Sequence, residues 1–106
     1  LTNPEVIAVN QDSSGNRELF HYDNLVGWIA DVPGSKDKYV ALFNTADTGH
    51  RPVVVALKDL GFPESARVRD LWRRVDLEEE VMDEFAPVLP PHGAELYRFT
   101  PLASPE

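Results

Sequence analysis

Carboxylates are the residues of this sequence best suited to chemistry, because two of them facing each other are enough to hydrolyse a glycosidic bond. Retaining cleavage needs the two carboxyl groups about 5 Å apart, and inverting cleavage needs about 6.5–9.5 Å. The densest acidic group comprises Glu78, Glu79, Glu80, Asp83 and Glu84. Adjacent like charges are typical of a solvated face, so this group is interpreted as surface.

Asp70 is the one acid that stands inside an apolar segment, between Arg69 and Leu71. A buried aspartate needs hydrogen bonds or a cationic partner. We therefore interpret Asp70 as half of a structural ion pair with an arginine, in preference to a catalytic acid. No catalytic residue is predicted for this chain.

The sequence contains no motif typical of metal or cofactor binding. The three histidines, His21, His50 and His92, do not stand at metal-ligand spacing, and the chain has no cysteine. His-Glu-x-x-His, Gly-rich phosphate-loop and Gly-x-Ser-x-Gly motifs are all missing. His92 follows two prolines and precedes a glycine, which favours a structural role in a turn. The sequence predicts no metal and no cofactor.

Trp28 and Trp72 are the natural candidates for a sugar platform, because sugars stack on exposed aromatic rings. Both stand in apolar segments, and a small all-β domain needs large rings to fill its core. The core interpretation is favoured for both. A carbohydrate-binding module is kept as an alternative, and no substrate-binding residue is assigned.

The overall balance of residues restricts the class of protein. The chain has 106 residues and a formal net charge of −8, which excludes nucleic acid and anionic membrane surfaces as expected partners. This length fits one domain and is too short for a (β/α)₈ enzyme of about 250 residues. No apolar run approaches the roughly 20 residues of a membrane span.

The elements that must position these residues are mostly strands. Asn3 and Pro4 have the chemistry of a helix start, so a short helix is predicted from there to Asp12. Strands are predicted at 18–22, 25–32, 38–44, 52–58, 66–73, 84–88 and 94–100, with 25–32 apolar on both faces and therefore expected to be covered on both. A loop is predicted at 13–16 and a turn at Asp23-Asn24. The acidic stretch 76–83 could be a turn of helix or a charged edge strand, and its composition favours helix. Short strands with turn signals every 8–12 residues or so are typical of a β-sandwich or barrel.

Several segments, taken in order, resemble glycoside hydrolase family 27, the α-galactosidase and α-N-acetylgalactosaminidase group. The segment 1–12 resembles the end of the last helix of that family's catalytic barrel. Five further segments resemble strands and turns of that family's C-terminal domain, namely residues 39–44, 68–72, 75–77, 91–94 and 98–101. The chain departs at Ser13-Ser14-Gly15, where Pro-Leu-Gly is common, and in the acidic stretch from Glu78.

The resemblance implies an all-β, antiparallel Greek-key sandwich of about seven or eight strands with a short N-terminal helical remnant. It divides the chain into 1–14 (end of an absent barrel's last helix, and linker), 15–101 (sandwich) and 102–106 (tail). It also implies a parent enzyme that hydrolyses terminal α-galactosides with retention, using two aspartates that lie upstream of this chain.

The sequence therefore predicts an inactive accessory domain that packs on a (β/α)₈ catalytic barrel and stabilises it. A free-standing carbohydrate-binding module and a subunit-interface module are the alternatives. Carbohydrate is a possible ligand. The resemblance favours a secreted or periplasmic protein, although the lack of cysteine suits the cytoplasm equally.

Overall fold

The N-terminal helix forms where the cap signals predict it. The computed structural model describes residues 3–102, and its helix α1 spans Pro4–Asp12. The Asn3 side chain accepts hydrogen bonds from the amides of Glu5 (3.0 Å) and Val6 (3.5 Å). These two amides have no partner within the helix, so the cap supplies one. Within residues 3–102, no helix is long and apolar enough to cross a bilayer.

Strands make up most of the remaining structure, five of them long and six of only two residues. They are β1 (Ser14–Tyr22), β2 (Leu25–Asp31), β3 (Lys38–Asn44), β4 (Arg51–Pro52), β5 (Val55–Ala56), β6 (Ser65–Asp70), β7 (Val75–Asp76), β8 (Val81–Met82), β9 (Glu84–Phe85), β10 (Val88–Leu89) and β11 (Ala94–Pro101). A single 3₁₀ turn, Leu57–Leu60, is described between β5 and β6.

The long strands form one antiparallel sheet in the order β1-β2-β3-β11-β6-β7, with β8 also paired to β6. The last strand, β11, thus lies in the middle of the sheet between β3 and β6. The hairpin between β1 and β2 turns at Asp23 and Asn24, which both adopt positive φ angles (49° and 65°). Asp and Asn tolerate that conformation best among non-glycine residues, which is why the sequence signal for this turn was reliable.

The main core lies between this sheet and a second layer made of the short pairs β4–β10 and β5–β9 and the 3₁₀ turn. Alternate residues of the long strands point into it, among them Val40, Leu42 and Phe99, which are fully buried. Two packed layers around one apolar core make an all-β sandwich, which confirms the predicted fold class.

Three sequence predictions about elements were wrong, and each error has a local cause. The acidic stretch 76–83 contains no helix; β7 and β8 pair there with β6, because tertiary pairing outweighs helix propensity. The predicted strand 52–58 is broken into β4, β5 and the 3₁₀ turn. The predicted loop 13–16 largely belongs to β1, which begins at Ser14. Of the predicted tail 102–106, residues 103–106 lie outside the described part.

Candidate functional site

Helix α1 packs on the face of the large sheet that points away from the main core. Val6 and Val9 contact a second apolar cluster, which includes Tyr39, Leu71 and Leu96. The helix is too short to be stable alone, so this contact is what holds it in place. The assignment of residues 1–14 to the end of the barrel's last helix and linker stays a prediction, and α1 packs directly against the sandwich.

An ion-pair network holds the N-terminal turn of α1 against strand β6. The guanidinium of Arg69 donates from Nε and Nη2 to the two carboxylate oxygens of Glu5, both at 2.8 Å, and from Nη1 to Asp76 at 3.1 Å. The Asn3 amide donates to the carbonyl of Leu71 at 2.7 Å. The hydrogen bonds from Arg69 hold the pKa of Glu5 below its ordinary value. A bidentate pair of this kind fixes orientation as well as distance.

We expect Glu5→Gln to lower the free energy of unfolding by about 0.5–1 kcal/mol at pH 7, the upper range for a partly exposed ion pair. Because the folded pKa of Glu5 lies below its ordinary value of 4.5, the carboxylate stabilises the fold above that pH and loses the contribution as pH falls further. Urea unfolding from pH 7 to pH 3 measures this. Glu79→Gln, the same change in the exposed acidic run, should have almost no effect. A stability difference between the original chain and Glu5→Gln that does not narrow between pH 7 and pH 3 would contradict the assignment.

Part of the same sheet face is not covered by α1. Strand alternation and register place Val26, Trp28, Ala41, Phe43 and Ala94 on one face, with Val26 opposite Phe43, Trp28 opposite Ala41 and Phe43 opposite Ala94. These five residues, named the open face here, are half-buried or exposed in the part of the chain that the structure describes. The C-terminal end of α1 borders the open face at Val9 and Asn10.

Both tryptophans were expected in the core, and this expectation was wrong. Trp28 and Trp72 are each 43% exposed. Trp28 lies in the strand that was predicted to be covered on both faces. Its chain neighbours Gly27 and Ile29 are on the face of the sheet that packs on the main core, whereas Trp28 is on the opposite face. Trp72 lies in the turn after β6, beside the cap residue Asn3, which also donates to the Trp72 carbonyl at 3.3 Å. Neither ring fills the core; rings from Phe62, Phe85, Tyr97 and Phe99 do.

Asp70 has the arginine partner that the sequence required. Its carboxylate is buried and accepts from the amide of Arg73 at 3.0 Å and from the Arg73 guanidinium at 2.7 Å. The same guanidinium also binds Glu95 at 2.9 Å. Burial, together with the nearby charges of Glu95 and Asp70, raises the pKa of the Tyr97 hydroxyl. Asp70, Arg73 and Glu95 thus form a hydrogen-bonded network at the β6–β7 turn, and the acids Glu78, Glu79 and Glu80 are exposed.

Two buried polar residues were not predicted from the sequence. Asn44 donates to the carbonyls of Gly49 and Leu89, both at 3.0 Å, and accepts from the amide of Ala46 at 3.1 Å. Asp37 accepts from Arg98 at 2.7 Å and from the Thr100 hydroxyl at 3.0 Å. The only available signal for Asn44 was its position: it continues the alternation that buries Val40 and Leu42.

The histidines do not come together. His21 lies 3.3 Å from Glu18, and His92 lies 3.1 Å from Asp47, both at the surface. His92 adopts a positive φ of 58° in a turn that is closed by a hydrogen bond from the Gly93 amide to the Pro90 carbonyl (2.9 Å). Among residues 3–102, no group of three or more metal-ligating side chains is arranged to hold an ion.

Comparison with known proteins places this architecture in a family. Residues 23–99 match the family model described as the alpha-galactosidase C-terminal β-sandwich domain. The α-galactosidase of Coffea arabica is 33% identical over 105 residues, covering 95% of this chain and 27% of the coffee protein. An isomalto-dextranase of Arthrobacter globiformis is 34% identical, covering 94% of this chain and 17% of its own length.

Solved structures give the same result. A family 27 β-L-arabinopyranosidase of Geobacillus stearothermophilus superposes with a TM-score of 0.89 at 34% identity, covering 100% of this chain and 24% of that protein. α-Galactosidase I of Mortierella vinacea superposes at 0.81 with 25% identity, covering 98% of this chain and 28% of its own. This chain spans between 17% and 28% of the length of these relatives. It belongs to the α-galactosidase C-terminal β-sandwich family, as a C-terminal domain of the family 27 glycoside hydrolase type.

Proposed function

We propose that this chain is a non-catalytic accessory domain of an α-galactosidase-type glycoside hydrolase, packed on the (β/α)₈ barrel that hydrolyses terminal α-galactosides and stabilising it. The observation that carries the proposal is the mismatch in coverage. The chain aligns over 95% of its own length with the coffee α-galactosidase but over only 27% of the enzyme. The remaining three quarters of such an enzyme is where a barrel of about 250 residues fits.

The side chains support a non-catalytic role. Asp70, the acid best buried in an apolar strand, is bound to Arg73, and the acids of the run from Glu78 are exposed. The relatives also carry three different enzyme names, α-galactosidase, isomalto-dextranase and β-L-arabinopyranosidase. Because a similar domain accompanies different activities, substrate choice belongs to the rest of each enzyme.

The test compares three proteins: this chain, the natural polypeptide encoded with it, and that polypeptide without residues 1–106. We expect the natural polypeptide to cleave a chromogenic α-galactoside and this chain alone to show no turnover. We expect the shortened enzyme to lose activity faster on heating, because apolar surface that the domain covers becomes exposed to water.

Two results would contradict the proposal. One is turnover by this chain alone that is abolished by Asp70→Asn. The other is a natural coding sequence without a catalytic barrel upstream of Leu1.

A second candidate function rests on one observation. Trp28 is half-exposed beside Asn10 and Asn16, and an aromatic ring next to amide groups can bind a neutral sugar. A carbohydrate-binding role would place a sugar on the open face. Footprinting of Trp28 in the presence of a sugar distinguishes a bound sugar from the barrel.

A further inference from the structure

We infer that the open face is the surface on which the catalytic barrel of the parent polypeptide docks, with Trp28, its largest side chain, as the principal anchor. This inference rests on the proposed function and adds the surface and its principal residue. The open face is formed by Val26, Trp28, Ala41, Phe43 and Ala94, which the register of β2, β3 and β11 places side by side.

The chemical character of the open face is the first argument. It presents five apolar side chains in neighbouring positions on three central strands, whereas isolated exposed apolar residues are ordinary at a protein surface. A half-exposed tryptophan within such a patch has the size and the rigidity typical of interface hot spots. Covering apolar surface of this kind with a partner removes it from water and is therefore favourable.

Continuity with α1 is the second argument. Helix α1 already covers the neighbouring part of the same sheet face through Val6 and Val9, and its C-terminal end borders Trp28. The ion pair between Glu5 and Arg69 holds the helix at a fixed orientation on this face. Any polypeptide that precedes α1 therefore joins the domain on this side of the sheet, at the β6 end of the helix, while the open face lies at the other end of the helix.

The length of the relatives is the third argument. The enzymes that contain a similar domain are about four times longer than this chain, since it covers 24% of the Geobacillus enzyme and 28% of the Mortierella enzyme. A partner large enough to cover the open face is thus available within one polypeptide. An intramolecular partner is present at high effective concentration, so the contact needs little affinity of its own.

Hydroxyl-radical footprinting with peptide-level mass spectrometry tests the inference without any mutation. The oxidation rate of Trp28 is measured in this chain alone and in the natural full-length polypeptide. Because Trp28 is 43% exposed in the chain and the centre of an interface is almost fully buried, we expect its rate to fall on the order of fivefold in the full-length protein. Met82, 58% exposed in β8 at the other end of the sheet, is the internal control and should keep its rate.

Equal oxidation of Trp28 in the two proteins, with an upstream barrel present, would overturn this inference and leave the proposed function standing. A full-length polypeptide without a barrel would overturn both. Two further arms examine other occupants in the isolated chain. Protection of Trp28 by millimolar galactose or arabinose would assign the open face to a sugar, and protection that rises with protein concentration would assign it to a second copy. Either result would replace the barrel as the occupant.

Substitution gives an independent readout. Trp28→Ala removes a ring that contacts water over much of its surface, so the isolated chain should keep its unfolding midpoint nearly unchanged. The same substitution in the full-length enzyme should shorten the half-life of activity on heating several-fold, because removal of the ring would leave a gap at the interface. The value of kcat should stay unchanged. Met82→Ala is the matched control in both proteins. Equal destabilisation of the isolated chain and the full-length enzyme would assign Trp28 a role within the domain.

Discussion

Asn44→Asp is expected to destabilise this domain by about 3–5 kcal/mol, as removal of a partner from a buried polar network does. The amide is almost fully buried and donates to two carbonyl oxygens, those of Gly49 and Leu89. Aspartate has the same shape but no donor when ionised. Its negative oxygen would lie 3.0 Å from each carbonyl oxygen, with no water to screen the repulsion.

The predicted loss is large because Asn44 joins separate parts of the fold. It connects the end of β3 in the large sheet to β10 in the second layer, and it also closes the 44–49 loop. A typical domain is stable by only about 5–15 kcal/mol in total. Urea unfolding at pH 7 provides the measurement.

Asn16→Asp is the control for Asn44→Asp, since it makes the same chemical change at an exposed position of β1. Both variants carry the same net charge, so a general charge effect would lower both midpoints alike. Equal unfolding midpoints for the two variants would show that the two hydrogen bonds donated by Asn44 contribute nothing specific.

The second large effect is expected for Phe99→Ala, which should cost about 3–5 kcal/mol. Phe99 is fully buried in β11, the strand at the centre of the sheet. Its ring centroid lies 5.6 Å from that of Phe85 and 6.4 Å from that of Tyr97, both in edge-to-face geometry. Truncation would remove the ring's burial and leave a cavity between the two layers, where the surrounding strands cannot close.

Phe43→Ala provides a chemically identical control on the opposite face of the same sheet. Phe43 belongs to the open face and is only half-buried, so in the isolated chain its loss should cost less than half as much as that of Phe99. Thermal and urea unfolding of both variants measure the difference. Equal costs would mean that the two faces of the sheet are equally packed, and would contradict the description of an open face.

Much of this architecture could be predicted from local sequence. The cap of α1 was evident from Asn3 and Pro4, and the β1–β2 turn from Asp23 and Asn24, because these residue types fit few backbone conformations. The long strands β2, β3, β6 and β11 coincide with predicted strand segments rich in apolar, β-branched or aromatic residues. The family was also recognisable, since its segments recur in order along nearly the whole chain. The accessory role on a barrel stays a proposal.

Short elements were the ones that local sequence misassigned. The two-residue strands β7 and β8 owe their pairing to β6, and nothing in the acidic stretch 76–83 indicates that partner. The segment 52–58 contains three consecutive valines that favour a strand, yet the chain turns at the 3₁₀ turn, where Leu57 and Leu60 are buried in the core. Elements of this length are decided by long-range contacts, since their own propensity amounts to little.

The sequence by itself thus determined the class of fold, its long strands, the helix start and the absence of a catalytic motif, because these depend on residue type and periodicity. Only the tertiary structure decided which polar residues are buried and which aromatic rings are exposed. Alternation indicates that Trp28 and Ile29 point to opposite faces of the sheet, but it carries no information on which face has a second layer. That depends on the short strands β4, β5, β9 and β10, which come later in the chain and form the second layer, and, on our inference, on polypeptide beyond this domain.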